Sequence, residues 1–205
     1  MQRKRLKAAF LLMGVAALGC ASASAQTDVA GSLYGAFSGT TTGNGVQQSP
    51  SNSAGALLEV RHISNPIVGY EGTYSFNHAT QTYSATVSCG LPCNTPNPTP
   101  VLANAHEVTA DWIASLKIAN LRPFALAGVG LLFDVPSGGQ ADTSTATKPV
   151  FVYGAGLDWG LLPHIGLRFQ YRGNLYKAPN LTTLFTSTGA FTQTSEPMIG
   201  AYLRF

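Results

Sequence analysis

From residue 28 to residue 205, apolar and polar residues alternate in segments of about ten, broken by clusters of Gly, Pro, Asn and Ser. A period of two marks β-strands with unlike faces. The segments run over 28–39, 54–64, 67–78, 105–118, 122–135, 149–161, 164–177 and 196–205. Their connections alternate in length. Those over 40–53, 79–104, 136–148 and 178–195 are long and rich in Thr, Ser, Asn and Pro. Those at Asn65-Pro66, Ala119-Asn120 and Leu162-Pro163 are tight. Helical periodicity is absent, and no later window has the ~18 consecutive apolar residues of a membrane helix.

An even strand number with long connections at one end and tight turns at the other predicts an all-β fold. It is an eight-stranded antiparallel transmembrane β-barrel of up-and-down topology, with long extracellular loops and short periplasmic turns. The charges test this against a soluble sandwich. Glu59 and Arg61, Glu71, Glu107, Asp111 and Lys117, Arg122 and Asp134, Asp158, Arg168 and Arg172, and Glu196 and Arg204 all fall opposite the greasy face of their strands. The greasy faces carry Tyr70, Tyr74, Trp112, Trp159, Phe169 and Tyr171, rings suited to interfacial girdles. Apolar residues therefore face lipid, and the charges face a lumen. A one-residue slip would reverse the faces, so register is strongly specified. Three-residue turns at 65–67 and 162–164 put Arg61 opposite Glu71 and Asp158 opposite Arg168, favourable pairs across a ladder.

The first 25 residues change the charge balance. Arg3, Lys4, Arg5 and Lys7 precede an apolar run from Ala8 to Gly19, and Ala23-Ser24-Ala25 supplies the small residues of a signal-peptidase site. We expect cleavage after Ala25, leaving one domain over 26–205. Cys20 offers a lipoprotein reading, which Ala17 fits poorly because a larger aliphatic residue is usual there. The signal takes four of the twelve Lys/Arg, so eight basic residues face nine acidic ones in the remainder. Nucleic acid drops out as a partner. Cys89 and Cys93, in "CGLPC", are favoured as a local disulfide over free thiols or a metal pair, given the oxidising compartment.

"RPFALAGVGLLFD", "VYGAGLDWGL", "LRFQYRGNLYKAP" and the terminal "PMIGAYLRF" resemble strands of small bacterial outer-membrane barrels of the OmpA transmembrane-domain type. The resemblance covers essentially the whole chain after the signal. It implies a location in the outer membrane, contact with its bilayer and lipopolysaccharide, and insertion by the barrel-assembly machinery. In such families that machinery recognises a last strand ending in an aromatic residue; Phe205 matches, with Tyr202 and Leu203 before it. No peptidoglycan-binding domain follows the barrel, so wall tethering is not implied.

Fold does not give function. The leading expectation is a non-enzymatic, monomeric protein without cofactor, its loops carrying any interaction. Side chains largely fill eight-stranded barrels, which disfavours a wide channel; a narrow pore gated by the lumenal charges is one alternative. Another is a hydrolase, because "RHISN" at 61–65 resembles the His-x-Ser-Asn element of outer-membrane lipid A deacylases, with His62 and Ser64 on the lipid-facing side. Against it, Ser64 lies in a turn at the periplasmic end, away from outer-leaflet lipid A. His78 and His106 flank one loop and read as unrelated side chains. The lumen-side glycines of "GAGLDWG" read as room for large neighbours.

Overall fold

The alternation is realised as strands throughout. The structure, a computed structural model, describes residues 26–65, 67–86, 97–139 and 141–205. Eight strands form the wall: β1 (Gln26–Ser38), β4 (Ser53–Ile63), β5 (Val68–Ala85), β6 (Thr99–Ser115), β7 (Leu121–Pro136), β8 (Ala146–Gly160), β9 (Ile165–Lys177) and β10 (Phe191–Arg204). A hairpin of β2 (Thr41–Gly43) and β3 (Val46–Pro50) stands in the first long connection. Neighbouring wall strands pair antiparallel, and β1 closes against β10. Closure removes the open edges that a bilayer cannot satisfy. The closing ladder runs from Asp28↔Arg204 to Tyr34↔Met198 and resumes at Phe37↔Ser195. The gap faces Pro197, which has no N–H to give.

β5 shows how the sequence meets the membrane. Val68, Tyr70, Tyr74 and Phe76 point outward and are exposed, while Glu71, Thr73 and Ser75 point inward and are buried. The apolar outer face ends at Phe76, close to the ~9–11 residues a tilted strand needs to cross. Beyond it the outer face turns polar at His78, Thr80 and Thr82, yet the ladder with β6 continues to Tyr83↔Thr99. Within the long loop expected over 79–104, residues 79–85 and 99–104 thus continue β5 and β6 beyond the membrane. Their Thr-rich alternation is that of a strand wetted on one face, which composition alone reads as loop. β10 begins at Phe191 for the same reason.

The expected loop over 40–53 also holds structure. Asn44 and Gly45, at φ 51° and 75°, turn β2 into β3. Asn-Gly suits a two-residue hairpin turn with positive φ at both positions. β3 then lies beside β5, from Val46↔Ala85 to Pro50↔Gln81.

The last extracellular loop folds inward. Leu181 and Phe185 pack with Val46, Tyr83, Val101, Ala103 and Ala146. Tyr83 donates its hydroxyl hydrogen to the Pro179 carbonyl at 3.0 Å, and its oxygen accepts from the Leu181 amide at 3.0 Å. This covers the extracellular end of the lumen. At the periplasmic end, Asn65 Oδ1 accepts from the amides of Ile67 and Val68 at 3.0 and 2.8 Å. Such side-chain bonding fixes a tight turn.

Candidate functional site

Inward-facing positions of every wall strand converge on a charged lumen. The turn lengths set the register, with Arg61 opposite Glu71 and Asp158 opposite Arg168. Arg61 Nη2 lies 2.7 Å from Glu71 Oε2, its Nε donates to the same oxygen at 2.8 Å, and Nη1 reaches Asp158 at 3.3 Å. Arg168 grips Asp158 as a fork, Nε to Oδ1 at 2.6 Å and Nη2 to Oδ2 at 2.9 Å. It also reaches Asp28 at 3.1 Å and contacts Glu59. The ring of Phe124 lies under both guanidiniums, and Gly156 makes room for it, because a Cβ there would collide with that ring.

One level up, Arg172 Nη1 pairs with Asp111 at 3.2 Å and Glu71 at 3.6 Å, and Nη2 approaches Glu107 at 3.8 Å. Thr109 accepts from Arg172 Nη2 at 3.0 Å and donates to Asp111 at 3.0 Å. The three arginines are fully buried. Burying charge is costly unless it is paired and hydrogen-bonded, which this arrangement largely achieves. Above it, Glu107, Asp134 and Glu196 line a small cavity of about 30 Å³, room for about a water or two.

Other expected residues fall elsewhere. Lys117 has the inward parity but is no part of the network. β6 ends at Ser115, its last pair being Ser115↔Phe124, and Lys117 is exposed at the rim beyond. Pro123 interrupts the ladder there, having no N–H to give, and only the Ile118↔Leu121 bridge follows, so Lys117 stands one position from the turn, where its side chain reaches water. Arg204 lies at the periplasmic mouth, its Nη2 donating to the Tyr202 hydroxyl at 3.2 Å. Tyr202 is buried in the lumen, whereas Leu203 and Phe205 face outward and are exposed. Cys89, Cys93 and residues 1–25 lie outside the described residues.

His62 and Ser64 are not brought together. His62 Nδ1 bonds the Thr27 hydroxyl at 2.9 Å and its ring packs on Tyr70. Ser64 is exposed in the β4–β5 turn, its amide bonded to the Val68 carbonyl. His78 and His106 serve separate contacts, with Asn104 and Tyr74. Sequence reasoning left out Asp28 and Thr109, whose inward parity in β1 and β6 signals them, and Phe124, for which nothing in the sequence marks a ring between two arginines.

Comparison with known proteins agrees with this architecture. Residues 8–195 match the model of the outer membrane protein beta-barrel domain. The solved structure of OprG from Pseudomonas aeruginosa superposes with a TM-score of 0.61 at 9% identity, covering 89% of this chain and 97% of that one. Neisserial surface protein A gives 0.58 at 15% identity, covering 90% and 100%. Ail of Yersinia pestis, in complex with the heparin analogue sucrose octasulfate, gives 0.54 at 16% identity, covering 89% and 99%. A search of curated proteins finds no match. A closed eight-stranded barrel with lipid-facing apolar positions, matched by the family model over most of its length, belongs to the outer membrane protein β-barrel domain family and resides in the bacterial outer membrane.

Proposed function

We propose that this protein is a monomeric, non-enzymatic outer-membrane barrel whose extracellular loops carry a surface-interaction role. Its lumen acts as a structural plug. Residues 1–25 serve as the export signal, and Tyr202, Leu203 and Phe205 present the final strand to the barrel-assembly machinery.

The observation that carries this reading is a double closure. The arginine–carboxylate network fills the lower lumen, and the loop after β9 covers the extracellular end through Leu181 and Phe185. A path for solutes would have to break both. The hydrolase alternative lacks support, because His62 bonds Thr27 instead of Ser64 and both lie at the periplasmic end.

Loop composition narrows the partner. Segments 40–53, 79–104, 136–148 and 178–195 hold one acid, Asp142, and one base, Lys148. A sulfated sugar of the kind bound in the Ail complex is recognised through clustered cations, which these segments lack. Their Thr, Ser, Asn and Gln suit an uncharged glycan or protein surface, bound through hydrogen bonds. The test pairs two measurements. Planar-bilayer recording of refolded protein should give no steady channel, and cells carrying the protein should bind neutral glycans or host-protein surfaces in a salt-insensitive way that trimming residues 79–99 reduces. Steady conductance would replace the plug reading with the narrow pore.

A further inference from the structure

Two cross-strand pairings at the periplasmic mouth do not become ion pairs. Arg122 stands opposite Asp158 in the β7–β8 ladder, and Arg204 stands opposite Asp28 in the β1–β10 ladder. Both acids are taken by Arg168, which holds Asp158 at 2.6 Å and Asp28 at 3.1 Å. Arg61 adds a further contact to Asp158. Among the described residues, neither Arg122 nor Arg204 makes an ion pair.

Arg122 is the telling case. It is only 7% exposed, yet Nη2 alone has an acceptor, Gln26 Oε1 at 3.1 Å. Its Nε and Nη1 are buried without a described partner, as is Nε of Arg204. A desolvated guanidinium with unspent donors is costly, and a second cation beside it adds repulsion. Both border a chamber of about 340 Å³ whose wall also includes Lys117, Asn120 and the Tyr202 side chain. Among the described residues, the only acid on that wall is Asp158, already paired. Three cations, two of them planar forks, surround a space open to the periplasm through the β6–β7 and β8–β9 turns. Guanidinium forks match the oxygens of a tetrahedral oxyanion, and a lysine adds a point charge.

The geometry points to a binding site for a phosphate group in this chamber, with Arg122 as its deepest ligand and Arg204 and Lys117 at its sides. The group arrives either as a free periplasmic anion or as the headgroup of an inner-leaflet phospholipid, whose chains would lie against the outer wall beside the turns.

The test uses residues 26–205 refolded in maltoside micelles. Inorganic phosphate and dihexanoylphosphatidylglycerol are titrated separately, followed by calorimetry and ³¹P line width, with dihexanoylglycerol as the phosphate-free control. Saturable binding is expected, weakened at least about tenfold in Arg122→Gln, the loss of one or two charge-assisted bonds. Arg204→Gln and Lys117→Gln should weaken it several-fold, and Lys148→Gln, at the other end of β8, should not. Tighter binding of phosphate than of the lipid assigns a free anion, and the reverse assigns a headgroup. Thermal unfolding gives a second readout: phosphate should raise the midpoint of the wild type but not of Arg122→Gln, which in phosphate-free buffer should melt no earlier than the wild type. The proposal is overturned if wild type binds neither probe saturably or if Arg122→Gln binds equally well. Should Arg122→Gln not fold, unchanged affinity in the Lys117→Gln/Arg204→Gln double variant overturns it instead.

Discussion

Arg61 lays its guanidinium 4.0 Å from the ring centroid of Phe124, inside the charged lumen. The ring face offers the cation an attraction that water no longer supplies, worth roughly 0.5–2 kcal/mol. Arg168 approaches the same ring at 5.6 Å, so one aromatic side chain serves two cations and leaves their donors free for carboxylates. Phe124 fits there because its neighbour across the β7–β8 ladder is Gly156. Gly156→Ala should therefore destabilise the barrel by about 1–3 kcal/mol through overpacking. In a Phe124→Leu background the cost should shrink. It should not vanish, since the Phe169 carbonyl also lies 2.6 Å from where the methyl would sit. A double-mutant cycle by urea unfolding in lipid vesicles reads this coupling. Equal costs in both backgrounds would remove the ring from the explanation.

Paired and unpaired lumenal acids should respond oppositely to neutralisation. Asp158 is held by two arginines, so Asp158→Asn strips both of a carboxylate and should cost about 3–5 kcal/mol. Glu196 is equally buried but makes no ion pair among the described residues. Glu196→Gln should be neutral or stabilise by up to about 2 kcal/mol, because a buried carboxyl that no arginine holds is replaced by an amide of the same shape. Denaturant midpoints of the two variants check this, and a larger loss from Glu196→Gln would contradict it.

The register was legible in the sequence because a period of two and a known turn length leave one solution. That is why Arg61 faces Glu71 and Asp158 faces Arg168. What parity does not give is reach. Arg61 crosses the lumen from β4 to Asp158 on β8, 97 positions away and on the opposite wall, because a long side chain spans a narrow barrel. Nor does parity say where the lumen stops: Lys117 has the inward phase, but it stands at the rim beyond β6, exposed. Polar strands beyond the membrane are the third gap. Residues 79–85 and 191–195 have loop composition because both water and neighbouring loops tolerate polar side chains there. The Asn44-Gly45 turn carried a readable signal in its two residues.

The extracellular cap hangs on Tyr83. Tyr83→Phe removes a donor to Pro179 and an acceptor for Leu181 while keeping the ring against Phe185. The local cost should be about 1–3 kcal/mol, confined to residues 178–190. Amide exchange at Leu181 should accelerate while the wall strands keep their protection. Unaltered exchange at Leu181 would mean that apolar packing alone holds the cap.

Ala119 turns the chain between β6 and β7 at φ 55°, bracketed by mutual hydrogen bonds between Ile118 and Leu121 at 2.8 and 3.0 Å. The left-handed region costs a residue with a Cβ about 1–2 kcal/mol, and glycine escapes that cost. Glycine's greater freedom in the unfolded chain returns part of the gain. Ala119→Gly should stabilise the barrel by about 0.5–1 kcal/mol in equilibrium unfolding. A destabilised variant would show that the alanine methyl makes a contact that matters more than the backbone.

On the proposed assembly role, losing Phe205 should affect delivery to the membrane more than folding. The Phe205 amide donates to the Thr27 carbonyl at 2.8 Å, and the residue is 77% exposed. Deleting it removes one backbone bond at the end of the closing ladder and one ring at the membrane interface. Packing inside the barrel is untouched, because Tyr202 and Arg204 still line the mouth. Refolding into detergent should be nearly as complete as for the intact protein, with a loss of roughly 1 kcal/mol or less. In cells, an assembly machinery that reads a terminal aromatic would lose its signal, and outer-membrane levels should fall severalfold. Phe205→Tyr keeps an aromatic ring at the interface and should restore those levels, whereas Phe205→Ser should not. Equal membrane levels for the intact and truncated chains would deny Phe205 a role in recognition. Equal losses in detergent and in cells would reduce it to a contact of the β1–β10 seam.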